Sequence, residues 1–136
     1  MFVAYVIVTI VAAAANIYAA ANDFIRPEWL LRSMSKLGVP ESGLPTLGIL
    51  KAAGALGLLI GLAVPFIGAA AAVGLILFFI AAIITHLRAG DHSFGIPLIF
   101  LLLAVAALVL TMYVRKPTML AFIVPITNRP ITIRLP

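Results

Sequence analysis

Four stretches of this sequence each run about twenty residues with almost no charge: Phe2 to Ala21, Thr46 to Val64, Phe66 to Leu87 and Ile96 to Val114. Lys51 is the one Lys, Arg, Asp or Glu within them. A helix rises ~1.5 Å per residue, so some twenty residues cross a hydrocarbon core of roughly 30 Å. A chain of 136 residues with four such stretches has little left over for anything else. Its composition agrees: 65% of residues are hydrophobic, 10% are charged and the mean hydropathy is +1.27. Soluble domains carry roughly 45–50% apolar and about 25% charged residues. A soluble core of this size cannot absorb the surplus, which must face lipid. The sequence therefore predicts an all-α membrane protein, a four-transmembrane-helix bundle occupying residues 1–116 as one domain.

The first stretch resembles a secretory signal only superficially. It lacks a basic leading region and is too long for the apolar core of such a signal, so it reads as a span. Thr9, Asn16 and Asp23, the last just past its end, recur every seven residues and so share one helical stripe. Polar groups are costly against lipid, which predicts that the stripe faces the other helices, with Thr9 and Asn16 as interhelical hydrogen-bonding groups. The second span carries Gly54, Gly57 and Gly61 on nearly one face, a surface that lets two backbones approach closely. Packing inside the chain is the expected use, with a subunit interface as the alternative. Pro65 leaves so short a connection that the second and third spans must form an antiparallel hairpin.

Between the first two spans lies the longest polar stretch. Over residues 27–37, Leu30, Met34 and Leu37 fall on one helical face with Leu31 beside them, while Arg32, Ser33, Ser35 and Lys36 fall elsewhere. Glu28 complements the start of such a helix, and Gly38 can end it in a left-handed cap. Trp29 and Arg32 are side chains suited to the headgroup level, so this is a short amphipathic helix at the membrane surface. The tail, residues 117–136, has four prolines, no acid and several β-branched residues, and is expected to be irregular.

The net charge of +5 comes from nine basic residues scattered over loops and tail. None is interleaved with stacking aromatics, which argues against nucleic acid and for lipid headgroups as partner. Without cysteine the chain has no disulfide, thiolate-bound zinc or cysteine-held iron–sulfur cluster. Lys and Arg divide almost evenly between the two membrane sides, leaving the positive-inside rule no asymmetry to act on. Both termini inside is the weak preference.

Two places could carry chemistry. Lys51, near one end of the second span, can snorkel to the headgroups or turn inward to pair with Asp23, Asp91 or a bound ligand. After the third span, His86, Arg88, Asp91 and His92 crowd into seven residues. That cluster is either a solvated loop with a capping acid or a polar floor. In the second case His86 or Arg88 donates to a quinone or lipid headgroup, and Asp91 orients one of them. Two histidines and a carboxylate lack the convergent spacing of a zinc or iron site, so no metal is assigned. No Ser–His–Asp set, phosphate loop or paired intramembrane carboxylates occur, so the chain alone does not read as an enzyme.

The run Thr46-Leu-Gly-Ile-Leu-Lys51-Ala-Ala-Gly54-Ala-Leu-Gly57-Leu-Leu-Ile-Gly61, the His86-Leu-Arg88-Ala-Gly-Asp91 run and the preceding Leu37-Gly38-Val39-Pro40-Glu41 resemble the DoxX-like family. The resemblance covers about Met1 to Arg115. It implies a four-span fold and an association with quinone-coupled redox or oxidative-stress assemblies, since the family takes its name from a membrane subunit associated with a thiosulfate:quinone oxidoreductase. The leading expectation is an accessory subunit or scaffold of a larger, respiratory or redox, assembly in a bacterial plasma membrane. Its partners would be the bilayer and other membrane subunits or further copies of itself. The alternative is a quinone- or lipid-binding protein with a polar pocket near Lys51 and His86; no other cofactor is evident. A transporter or channel formed by an oligomer comes third.

Overall fold

The computed structural model describes the backbone of residues 1–127 and side chains through residue 121. The rest of the tail, residues 128–136 with Arg129 and Arg134, lies outside the described residues. In chain order the helices are α1 (Phe2–Ile25), α2 (Glu28–Lys36), a 3₁₀ turn (Glu41–Gly43), α3 (Leu44–Ile60), α4 (Pro65–Arg88), α5 (Gly95–Val114) and α6 (Lys116–Thr127). Four of them, α1, α3 with the preceding turn, α4 and α5, are long and apolar enough to cross a membrane. The fold is thus the all-α, four-span membrane protein that hydropathy predicts.

The spans run up and down in alternation. In cross-section α1 packs between α3 and α5, and α4 packs between the same two from the opposite side. The core where they meet is built of small residues interleaved with a few large ones: Ala12, Ala13, Ala55, Ala72, Ala104 and Ala107 around Leu58, Leu75 and Phe79. The large apolar side chains that remain exposed, such as Ile10, Leu56, Leu77 and Leu102, point away from this core. That inversion is what lipid as solvent allows, because the driving force between spans is close packing rather than escape from water.

Gly54, Gly57 and Gly61, at the end of α3, face α4 within the same chain, while Gly48 lies against Phe24 and Asp23 of α1. A Cβ added at Gly61 would strike the backbone of Gly68, one at Gly57 would lie 2.6 Å from the Cβ of Ala71, and one at Gly54 would meet the side chain of Leu75. The two helices touch backbone to backbone at Gly61 and Gly68, next to the turn that joins them.

Apart from α3 stopping at Ile60 and not at Val64, two boundaries differ from the sequence expectation. The first helix continues to Ile25 instead of stopping near Ala21, so Asp23 sits inside its last turn. Its charge is met by Lys51 and does not end the helix. The stop comes at Arg26, which adopts the left-handed conformation (φ 56°) immediately before Pro27, where right-handed helix is sterically disfavoured. The second difference is the tail: residues 117–127, expected to be irregular, belong to α6. Pro117 is the second residue of that helix, a place where its missing N–H has no bond to lose. α6 folds back at the end of the bundle against α5 and α4, with Met119 buried.

Candidate functional site

The polar stripe on α1 faces inward, as its spacing predicts. Tyr5, Thr9, Asn16 and Asp23 are all buried, alternating with Ala12, Ala13 and Ala20 at steps of three and four. Each polar member is handled differently. Asn16 donates from Nδ2 to the Ala12 carbonyl of its own helix (2.8 Å), the back-bond that a mid-helix Asn makes most easily. The interhelical bond expected of it is therefore not formed. Its Oδ1 and the Thr9 hydroxyl have no partner among the described residues.

Asp23 is bound across the bundle. Lys51 Nζ donates to Asp23 Oδ2 at 2.8 Å, the side chains being 13% and 2% exposed. Lys51 lies seven residues into α3, about 10 Å along the axis. Its ammonium also stands 5.5 Å from the centre of the Phe78 ring on α4. Of the two acids considered for this lysine, Asp23 is the one it pairs with, and Phe78 adds an aromatic face that sequence spacing gave no reason to choose.

Beside Phe78 the lipid-facing surface of α3 and α4 opens into an apolar groove of about 460 Å³. Leu50, Ala53 and Gly54 line it from α3; Ala71, Gly74, Leu75 and Phe78 line it from α4. Gly74 opens onto it, since a Cβ there would meet nothing within 4 Å. Lys51 reaches this groove only at its edge, through Phe78.

His86, Arg88 and Asp91 form a separate cluster. His86 lies eight residues beyond Phe78, about 12 Å along α4, and none of the three lines the groove. His86 Nδ1 lies 3.2 Å from Asp91 Oδ2. Asp91 Oδ1 accepts the Ser93 backbone N–H at 2.9 Å, and the Asp91 N–H donates to the His86 carbonyl at 2.9 Å. The bonds from Ser93, backbone first and hydroxyl second, hold the Asp91 carboxyl below its ordinary value, with a smaller contribution from His86. The group is a knot that ties the end of α4 to the loop before α5. Arg88 is exposed and makes no side-chain bond among the described residues. Among those residues no three His, Asp or Glu side chains gather closely enough to hold a metal ion.

At the opposite membrane side lies an arrangement that sequence reasoning missed. Tyr5 donates its hydroxyl to the Gly61 carbonyl (3.3 Å), and Arg115 Nη1 donates to the Leu62 carbonyl (2.8 Å). The guanidinium lies 5.9 Å from the centre of the Tyr5 ring. The carbonyls of Gly61 and Leu62, in the tight turn that follows α3, are thus closed by a side chain of α1 and by Arg115 at the end of α5. A basic residue at the end of a span was the available signal, but carbonyl acceptors leave no trace in a sequence.

Residues 7–109 match the sequence model of the DoxX-like family, a span that includes all of α2 to α4 and the greater part of α1 and α5. No curated protein and no solved structure matches the chain.

Proposed function

The chain belongs to the DoxX-like family of multi-pass membrane proteins, and within that family we propose that it holds a lipid-like molecule, a quinone or a membrane lipid, in the groove between α3 and α4. The observation that carries this is the coincidence of an apolar groove, open along the bilayer, with a part-buried ammonium that stands against Phe78, one of the residues lining it. A tail lies along Gly54, Ala71 and Gly74. The polar end of the molecule lies toward Phe78 and Lys51, whose ammonium has three donors and gives one to Asp23. Because Asp23 already balances the charge, a neutral carbonyl oxygen suits Lys51 better than an anionic phosphate does. A quinone ring and the ester of a lipid both offer such an oxygen.

The groove is open on its lipid side, so a molecule held there stays within reach of a neighbouring protein. This favours an accessory subunit of a larger assembly, in a bacterial plasma membrane and of respiratory or redox type, over a self-contained catalyst. The His86–Asp91 knot then belongs to the frame and not to the ligand.

Purification from native membranes in mild detergent, followed by mass spectrometry of extracted small molecules and of co-purifying proteins, tests both parts. The binding reading expects a stoichiometric quinone or lipid that is lost in Gly74→Leu, a substitution that fills the groove where open space receives it. Unchanged occupancy in a folded Gly74→Leu protein overturns it. The subunit reading expects a stoichiometric partner protein, and a chain that migrates alone overturns that part.

A further inference from the structure

We propose that the outward face of α2 is a binding surface for anionic phospholipid headgroups, with Trp29, Arg32 and Lys36 as its contacts. The surface is separate from the α3–α4 groove and does not depend on what that groove holds.

The proposal begins with the two faces of this helix. Leu30 is buried; Leu31 and Met34 turn toward Val39 and Pro40 and line a small cavity with them. The apolar side of α2 is therefore turned toward the protein, with Leu30 buried and Leu31 and Met34 half-buried. Trp29, Arg32 and Lys36 follow one another at three and four residues, so they share the opposite stripe, and all three are exposed, Trp29 at 57%. An amphipathic helix that met only water on its outer side would have no use for an indole there. A Trp flanked on its own stripe by an Arg and a Lys suits the headgroup layer, where the ring has an apolar boundary and the cations have phosphates.

The position in the chain puts α2 at that level. It follows the last turn of α1 by two residues and precedes the turn that leads into α3, so it lies at the membrane boundary. The cations are available. Lys36 makes no side-chain bond among the described residues. Arg32 donates to Glu28 at 2.6 Å, but both side chains are more than 70% exposed (72% and 79%), and so exposed a pair contributes little and exchanges readily for a phosphate oxygen. Arg88, which makes no side-chain bond among the described residues, adds a positive charge at the same end of the bundle, whereas Arg26 is balanced by Glu41 at 3.4 Å. The occupant is a lipid of the surrounding leaflet because the stripe lies where the bilayer surface is, and because a phosphodiester anion complements two cations one turn apart.

Trp29 is the only tryptophan in the sequence, so its fluorescence reports on this face without labelling. The full chain is reconstituted in phosphatidylcholine vesicles containing equal small fractions of brominated phosphatidylglycerol or brominated phosphatidylcholine. Each basic side chain near an anionic surface is worth enough for roughly five-fold enrichment at low salt. Brominated phosphatidylglycerol should therefore quench Trp29 with a relative association constant at least about five-fold above that of brominated phosphatidylcholine. The preference should weaken as salt is raised and fall toward unity in Arg32→Gln/Lys36→Gln. Equal quenching by the two lipids in the unmodified chain overturns the proposal, and so does a preference that survives the double substitution or high salt. Lys36→Gln alone, which disturbs no bond among the described residues, should lower the preference part of the way.

Discussion

Lys51 on α3 donates a 2.8 Å hydrogen bond to Asp23 on α1, and both side chains are almost wholly withdrawn from solvent. Neither charge would be tolerable alone at this depth. An isolated ammonium or carboxylate inside a span is costly, and the two offset each other across the α1–α3 contact. Lys51→Met is therefore expected to destabilise the bundle by about 3–5 kcal/mol, because it leaves Asp23 buried and uncompensated. Asp23→Asn combined with Lys51→Met should recover much of that loss. Reversible unfolding in mixed micelles would measure both. A double variant no more stable than Lys51→Met would mean that the pair is not the unit it looks.

The glycine face of α3 predicts a graded series. An added methyl at Gly61 meets the Gly68 backbone, at Gly57 the Cβ of Ala71, and at Gly54 the far end of the Leu75 side chain. Backbone cannot yield without separating the helices, a Cβ yields slightly, and a leucine end can rotate. Gly61→Ala should thus cost most, of the order of 1–3 kcal/mol or more as for other overpacked sites. Gly57→Ala should follow and Gly54→Ala should cost least. The same unfolding assay ranks them, and a reversed order would place the tight contact elsewhere.

Where the sequence was legible, the cause is physical and cumulative. Span existence rests on some twenty residues voting together, and the inward stripe of Thr9, Asn16 and Asp23 rests on a period. Failures came where a single residue was read without its partner. Asp23 looked like the end of α1 because the neutralising Lys51 is 28 positions away. Asp23 and Asp91 were equal candidates for Lys51 because hydropathy gives depth but not which helices are neighbours. Pro117 looked like a breaker, although the first turn of a helix accepts proline. The groove at Gly74 could not be foreseen at all, since it depends on which face of α4 is left uncovered.

Acid should loosen the α4–α5 loop before it touches the spans. The Asp91 carboxyl titrates below its ordinary 3.8 in the folded chain, chiefly through the Ser93 backbone N–H. Its folded value is lower than its unfolded one, so the stabilisation is fully present above about 3.8 and is lost as pH falls through the lower, folded value. Protection of the Ser93 amide, its exchange rate measured against the intrinsic rate at the same pH by NMR in micelles, should hold steady at neutral pH and drop only well into acid. Asp91→Asn should show lower protection at neutral pH and lose the acid step. An acid step that persists in Asp91→Asn would assign it to another group.

At the opposite side of the membrane, Arg115 and Tyr5 hold the turn between α3 and α4. Arg115 supplies a charged donor to the Leu62 carbonyl, and Tyr5 a neutral one to the Gly61 carbonyl. Bonds that involve a charged group contribute about 1.5–3 kcal/mol and neutral ones about 0.5–1.5 kcal/mol, so Arg115→Leu should destabilise more than Tyr5→Phe. The two are coupled, because the guanidinium lies over the Tyr5 ring, and Tyr5→Phe keeps an aromatic face for it. Replacing Tyr5 by Leu removes the face as well as the hydroxyl, so Tyr5→Leu should weaken the contribution of Arg115 where Tyr5→Phe does not. A double-mutant cycle on each pair measures this directly. An interaction energy indistinguishable from zero in the Tyr5→Leu/Arg115→Leu cycle would show that the two side chains close the turn independently.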